Sequence, residues 1–249
     1  MSIDEIRFEE VKNRVLETER KRSGIGTLSE KTVHAVLKNY YQPDVSRQEV
    51  PVERMVADIF TGKEILEIQT RNFFSLKKKL SIFLSLYPVT IIYPLPRQKW
   101  VIWIDPETGE LGEKRKSPKK GNLYDAFKEL ARIREFLEHE NLSVKVVFLD
   151  MEEYRLLNGW SRDRKRGSHR YDRIPLKLVE EVDLTCREDY LQLIPYELEE
   201  PFDTKAFAKA AKIKQDRAGQ VLSVLYQLGQ VERTGKKGNA YLYRVRDDS

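Results

Sequence analysis

Met55-Val56-Ala57-Asp58-Ile59-Phe60, then Thr61-Gly62-Lys63, then Glu64-Ile65-Leu66-Glu67-Ile68-Gln69-Thr70: two apolar runs flank a glycine-containing turn, and each carries an acid among its apolar residues. This is the signal of a β-hairpin. With Thr61-Gly62 as a two-residue loop, Phe60 pairs with Lys63 and Asp58 lies opposite Ile65. The period of two then puts Asp58, Ile65, Glu67 and Gln69 on one face. Asp58 and Glu67 become diagonal neighbours roughly 7 Å apart at the backbone, close enough to share one divalent ion. A three-residue loop would put them on opposite faces, and the sequence leaves both registers open.

Outward from the hairpin, helical and extended patterns alternate. Asp4 to Arg22 reads as a charged helix with a thin stripe of Ile6, Val11 and Val15, followed by a break at Ser23-Gly24-Ile25-Gly26. Glu30 to about Tyr40 is a second helix with Val33, Val36, Leu37 and Tyr40 inward. Gln48 to Glu53 is an edge strand marked by Pro51. After the hairpin come a helix over Phe73 to Tyr87, strands at Val89 to Tyr93 and Lys99 to Ile104, and a basic loop from Lys114 to Lys120. A helix over Leu123 to His139, a strand over Val144 to Leu149 and two amphipathic stretches within Leu176 to Ile194 complete the series. The expectation is a mixed α/β layer architecture over residues 27–200, preceded by an N-terminal helix over 1–26. From Phe202 the pattern changes to helix (Thr204 to Ala211), turn, helix (Gln215 to Leu228) and a hairpin around Gly235 to Asn239. That order reads as a small winged helix-turn-helix domain over 201–249.

The 249 residues are 40% hydrophobic and 34% charged, with a net charge of +5, so a core fits beneath a heavily charged, basic surface. The single cysteine, Cys186, excludes an internal disulfide framework and a cysteine zinc cage. It favours a reducing compartment, and with no apolar leader before Arg22 the expected location is cytoplasmic. The longest apolar stretch, Leu80 to Leu95, is broken by Pro88 and falls short of the roughly 18 residues of a spanning helix. No membrane partner is expected. The absence of a G-x-x-x-x-G-K-[ST] loop excludes a nucleotide-hydrolysing motor.

The run Val56-Ala57-Asp58-Ile59-Phe60 followed by Leu66-Glu67-Ile68-Gln69-Thr70 resembles the PD-(D/E)XK nuclease signature. Glu30, in Ser29-Glu30-Lys31-Thr32-Val33-His34, is similar to the acid that many members carry on their first core helix. The resemblance covers Glu30 to about Leu149 and implies a restriction-endonuclease-like αβββαβ core. It implies Asp58 and Glu67 as direct ligands of Mg²⁺ or Mn²⁺, Glu30 as a further metal contact, and phosphodiester hydrolysis of DNA. The motif's usual lysine is Gln69, which can orient a water but brings no charge; Arg71 or Lys77 is the expected source of the missing cation. Cutting both strands of a duplex calls for two sites, so a homodimer is an expectation of the same kind, carried by no residue. The bland alternatives are an exposed hairpin with an acidic outer face, and for Glu30 a first-turn acid complementing the helix dipole. His34 reads as a packed edge residue.

Candidate nucleic-acid contacts are Lys77 and Lys79 on the helix after the hairpin, and the basic segment 162–173 with Arg164, Lys165, Arg166 and Arg170. In the C-terminal domain they are Lys214, Gln215 and Arg217 at the start of the second helix, and Arg233, Lys236 and Lys237 on the wing. The function expected from these features is a metal-dependent DNA endonuclease bound through its winged helix. The alternative is a DNA-binding regulator with a nuclease-type core and no catalysis.

Overall fold

The computed structural model describes residues 3–23, 32–157 and 169–246. Helix α1 (Glu5–Ser23) and helix α2 (Thr32–Tyr41) lie together over one side of a mixed sheet. The strands are β1 (Gln48–Val52), β2 (Met55–Phe60), β3 (Ile65–Ile68), β4 (Val89–Ile104), β5 (Arg115–Lys116), β6 (Leu142–Leu156) and β7 (His169–Leu184). Their order is β1-β2-β3-β4-β6-β7, with β5 on the β3 edge of β4. β1, β2 and β3 form an antiparallel meander. β3–β4 and β4–β6 are parallel, and β6–β7 is antiparallel. The chain is thus α/β with a mixed sheet.

A 3-10 turn at Phe73–Leu76 leads into α3 (Lys77–Phe83), which makes the crossover to β4. The helix is shorter than the Phe73 to Tyr87 expected, because Pro88 biases Tyr87 away from the helical region. Residues Leu123 to His139 form short pieces, with α4 (Phe127–Leu130) between two 3-10 turns, in place of one helix. Bonds of the i+3 type, such as Arg132 N–H to Glu129 and Ile133 N–H to Leu130, break its register.

The two strands expected at Val89 to Tyr93 and Lys99 to Ile104 are one strand that runs through Pro94 and Pro96. Ile92 C=O accepts from Gln69 N–H, so alternate residues of β4 point their backbone groups to the β3 edge. Pro94 and Pro96 sit past the end of β3 and forfeit no ladder bond there. A bulge follows between Pro96 and Gln98, where a Cβ at Gly121 would meet the Pro96 carbonyl oxygen at 2.0 Å. β6 outruns the expected Val144 to Leu149 at both ends. His169 to Arg173, read as part of a basic loop, begin β7, which absorbs the first of the two amphipathic stretches.

The C-terminal part comprises α5 (Thr204–Ala210), α6 (Gln215–Gln227), β8 (Val231–Lys237) and β9 (Ala240–Val245). The hairpin turns tightly at Gly238-Asn239, since Lys237 pairs with Ala240, and the expected Gly235 to Asn239 loop is mostly strand. Phe202 exchanges both backbone bonds with Tyr243 (2.9 and 2.7 Å), adding a third short edge. Buried residues fall into two clusters. One joins α1, α2 and their side of the sheet through Phe8, Leu37, Ile92 and Met151. The other runs without a break from Ile65, Phe83 and Ile91 through Phe127 and Leu130 to Phe207, Val221 and Leu225. Among the described residues no helix is long and apolar enough to cross a membrane.

The shared second cluster makes unfolding of the two parts cooperative. Phe127→Ala empties the joint beneath α6 and is expected to cost about 3–5 kcal/mol. A single, lowered calorimetric transition is the expected result; two separated transitions would show that residues 201–249 melt independently.

Candidate functional site

The β2–β3 turn is Gly62-Lys63, one residue later than Thr61-Gly62. Thr61 N–H bonds to Glu64 C=O at 3.1 Å, and Gly62 takes a φ of +89°, which a glycine at the first position of a II′ turn accepts without strain. Phe60 therefore pairs with Ile65 and Ile59 with Leu66. Continuing one step brings Asp58 level with Glu67, directly opposite instead of diagonal. The shift is two places in register, so the shared face survives.

At that step the ladder ends and the carboxylates replace it. Asp58 N–H donates to Glu67 Oε1 at 3.2 Å, and Ile68 N–H donates to Asp58 Oδ2 at 2.8 Å. Each acid thus accepts from the backbone of the other strand, which fixes both and satisfies amides that the parting strands expose. His34 of α2 reaches Asp58 Oδ2 through Nε2 at 3.1 Å. Lys79 of α3 donates to Glu67 Oε2 at 2.7 Å. The group lines a cleft of about 910 Å³ between α1, α2, β1 and the segment after β3, whose walls also include Arg14, Lys38 and Arg71.

The two acids differ in charge. Burial opposes ionisation of Asp58, but the hydrogen bond and charge of His34, the Ile68 amide and the Lys79 ammonium outweigh it and hold its pKa below the usual range. Glu67 is 1% exposed. Burial and the neighbouring Asp58 charge push it up to about 7, against the pull of Lys79. Asp58 is therefore the ionised member near neutrality, and Glu67 the one held closer to its protonated form.

Lys79 is the cation bonded to Glu67, while Arg71 lines the same cleft. Two residues on a helix are 200° apart, so Lys77 turns away to Glu135 and over the Phe74 ring. Gln69 lines the cleft, but its amide nitrogen donates to the carbonyl oxygens of Arg71 and Asn72. It braces the loop before α3 and adds no charge at the acids. Glu30, Arg164, Lys165 and Arg166 lie outside the described residues. His34 is the residue sequence reasoning missed: it reads as a packed edge residue, and the structure brings it to Asp58.

The other nominated residues divide between free and engaged. Lys214, Gln215 and Lys237 are exposed, and Lys236, also exposed, has its ammonium 4.7 Å from the Tyr241 ring. Arg217 donates to the carbonyl oxygens of Tyr124 (3.0 Å) and Asp125 (2.7 Å), which ties α6 to the turn before α4. Arg233 lies over the rings of Tyr226 (4.3 Å) and Tyr241 (3.9 Å). Besides Arg217, the residues of α6 that are not buried are Gln215, Asp216, Gly219, Gln220, Ser223, Tyr226 and Gln227, none of them basic. Arg170 faces Glu153 on β6.

The fit of a divalent cation can be judged from the donors. Asp58 and Glu67 present hard oxygens side by side, and their mutual repulsion is what a cation would relieve. Mg²⁺ is commonly held by one or two carboxylates together with water and phosphate oxygens, so the pair suffices. Among the described residues no group of three or more His, Cys, Asp or Glu is arranged as a metal cage.

Residues 31–185 match a family model described as "Domain of unknown function (DUF8091)", a span that encloses both the carboxylate pair and the long strands. The chain is also 28% identical over 221 residues to an uncharacterized protein of Treponema pallidum (strain Nichols), covering 88% of this chain and 87% of that one. No solved structure matches.

The raised pKa of Glu67 gives stability a definite pH dependence. The native state keeps a proton that an unfolded glutamate, with its value near 4.5, releases. Stability from this group is therefore full in acid and falls as pH rises from about 4.5 to about 7. Glu67→Gln keeps the shape and cannot titrate. Its melting temperature should fall less than that of the wild type across this window; parallel curves would mean that Glu67 is ionised in the native protein.

Proposed function

This chain belongs to the DUF8091 family, and we propose that it is a metal-dependent DNA endonuclease of the PD-(D/E)XK type, with Asp58, Glu67 and Lys79 as its reacting group. The observation that carries the reading is the paired carboxylates at the point where β2 and β3 part, with a lysine on one of them, at the edge of a large cleft. The order α2, β1, β2, β3, α3, β4 supports it, since it repeats αβββαβ with the last two strands parallel.

Asp58 and Glu67 would hold Mg²⁺ or Mn²⁺, which when bound polarises a phosphate oxygen and lowers the pKa of a coordinated water. The chain's own groups divide the remaining work. Asp58 is charged at neutral pH and oriented by His34 and Ile68. Glu67 would have to give up its proton to hold a cation, so binding should be tighter at pH 8 than at pH 6. Lys79, bonded to Glu67 Oε2, would stand beside the ion, where its ammonium could orient the attacking water or meet a phosphate oxygen, the part Gln69 does not take. Water would add to phosphorus as an ester P–O bond breaks, the water losing a proton to solvent and the leaving alkoxide oxygen taking one up.

The C-terminal helices, the hairpin and the Phe202 edge support the winged-helix reading. Charge for DNA there would come from Lys214, Lys236 and Lys237, because the one basic residue of α6, Arg217, is engaged at Tyr124 and Asp125. A second reading, a DNA-binding regulator without cleavage, is favoured by Gln69 bracing a loop and by the two-carboxylate donor set.

Calorimetric titration with Mn²⁺, followed by cleavage of supercoiled DNA, tests the reading. The wild type should bind Mn²⁺ and cut; Asp58→Ala with Glu67→Ala should do neither. Lys79→Ala should still bind the ion while its rate falls about 10²-fold or more, the scale of losing one electrostatic stabiliser. Metal binding with no cleavage selects the regulator, and no metal binding in the presence of DNA removes the nuclease reading.

A further inference from the structure

The paired acids lie at the floor of their cleft. Glu67 is 1% exposed and the Asp58 side chain 15%, while α1, α2, β1 and the segment after β3 line the space around them. A phosphate has to descend between these walls to reach an ion held by the pair. The walls are fixed in place: Phe8, Val11 and Val15 of α1 pack with Val36 and Leu37 of α2 in one buried cluster, and the Arg7 guanidinium of α1 donates to the Tyr40 carbonyl oxygen of α2.

The space between the walls is about 910 Å³. A duplex about 20 Å across, rising about 3.4 Å per pair, fills roughly 1,000 Å³ for each base pair, so less than one pair can enter. Pockets of about 300–1,000 Å³ enclose a drug-sized ligand. A nucleotide is a molecule of that size, and a short stretch of one strand fits where a duplex does not.

The polar groups of the cleft favour a sugar-phosphate backbone over bases. Arg14, Lys38, Arg71 and Lys79 stand against Glu49, Asp58 and Glu67, and a divalent ion would tip the balance further. Lys38 is bonded to Glu49 and Lys79 to Glu67, and Arg71 is engaged as well. Arg14, exposed on α1, has no acid partner among the described residues. The amide nitrogens of Asn39 and Gln48 are taken by the carbonyl oxygens of Ala35 and Gln42, and no Phe, Tyr or Trp is among the lining residues. Charge is therefore what the cleft offers, and charge reads phosphates and not sequence.

We propose that the cleft takes a single strand of DNA, with Arg14 holding one of its phosphates on the wall opposite the acids. Cleavage of that strand rests on the proposed function; its binding does not. One site is enough for one strand, so the reaction needs no second copy of the chain.

The test uses the full chain and fluorescence anisotropy of a labelled oligonucleotide, alone and paired with its complement, in EDTA over a salt series. Arg14→Ala should weaken binding of the single strand several-fold, lower its salt slope by about 0.7, the share of one single-strand phosphate, and leave duplex binding unchanged. Arg14→Lys should restore most of the loss, which a disturbed helix would not allow. Single-strand binding unchanged in Arg14→Ala, or duplex binding weakened equally, overturns the proposal. A duplex with a single-stranded tail, incubated with Mn²⁺, separates this outcome from the fate of the nuclease reading. Cuts confined to the tail support both. Cuts favouring the paired region overturn the single-strand cleft and leave the nuclease standing. Arg14-dependent binding of the single strand with no cutting anywhere does the reverse.

Discussion

Two neighbouring strands leave their ladder after Ile59 and Leu66, and two carboxylates take over the backbone amides that the ladder would have bonded. The rest of the candidate site is organised by that exchange. Because Asp58 accepts from Ile68 and Glu67 accepts from Asp58, neither acid can swing out to solvent without leaving an amide unmet. The two charges are forced together, and the neighbouring elements respond: α2 brings His34 to one, α3 brings Lys79 to the other. The cleft exists because the strands part; the acids hold the parted edge in place. A network in which each member satisfies another is worth more than its separate bonds, and it fails as a unit.

The same logic recurs at Glu153, with the proportions reversed. At the hairpin, two acids share one lysine and one histidine, and Glu67 is left near its titration point. On β6, Glu153 is buried among Lys99, Arg155, Arg170 and Arg173, whose charges outweigh its burial and hold it at about 2. A buried carboxylate needs partners for its charge, and the two sites meet that need in opposite proportions.

Much of this was legible in the residues because it followed from period and turn chemistry. Asp58 and Glu67 share a face in either even register, so the shift from Thr61-Gly62 to Gly62-Lys63 left the pairing intact while changing a diagonal into a direct contact. Helices α1, α2, α5 and α6 followed from their apolar spacing. What the sequence hid was set by distant partners. Lys79 and Lys77 look alike in a run of three lysines, and only the seating of α3 against β3 tells them apart. His34 became part of the site because α2 crosses the end of β2. The length of β4 was hidden by Pro94 and Pro96, which forbid a ladder bond on one edge and say nothing about the other. Arg217 reads as a groove contact by position, yet the turn at Tyr124 and Asp125 claims it.

The parallel pairing of β4 with β6 joins Val89 to Leu142, whereas the β2–β3 turn joins Phe60 to Ile65. Closing a loop costs more as the chain between its ends lengthens, and parallel pairings of high separation form slowly. During folding, then, the hairpin can set Asp58 beside Glu67 while both are still in water and both charged. Only when β4 arrives with β6 behind it does the interior close over Glu67 and make it take up a proton. Assembly of this sheet is in that sense a proton-uptake reaction at neutral pH, and a cation already on the hairpin would spare the chain that step.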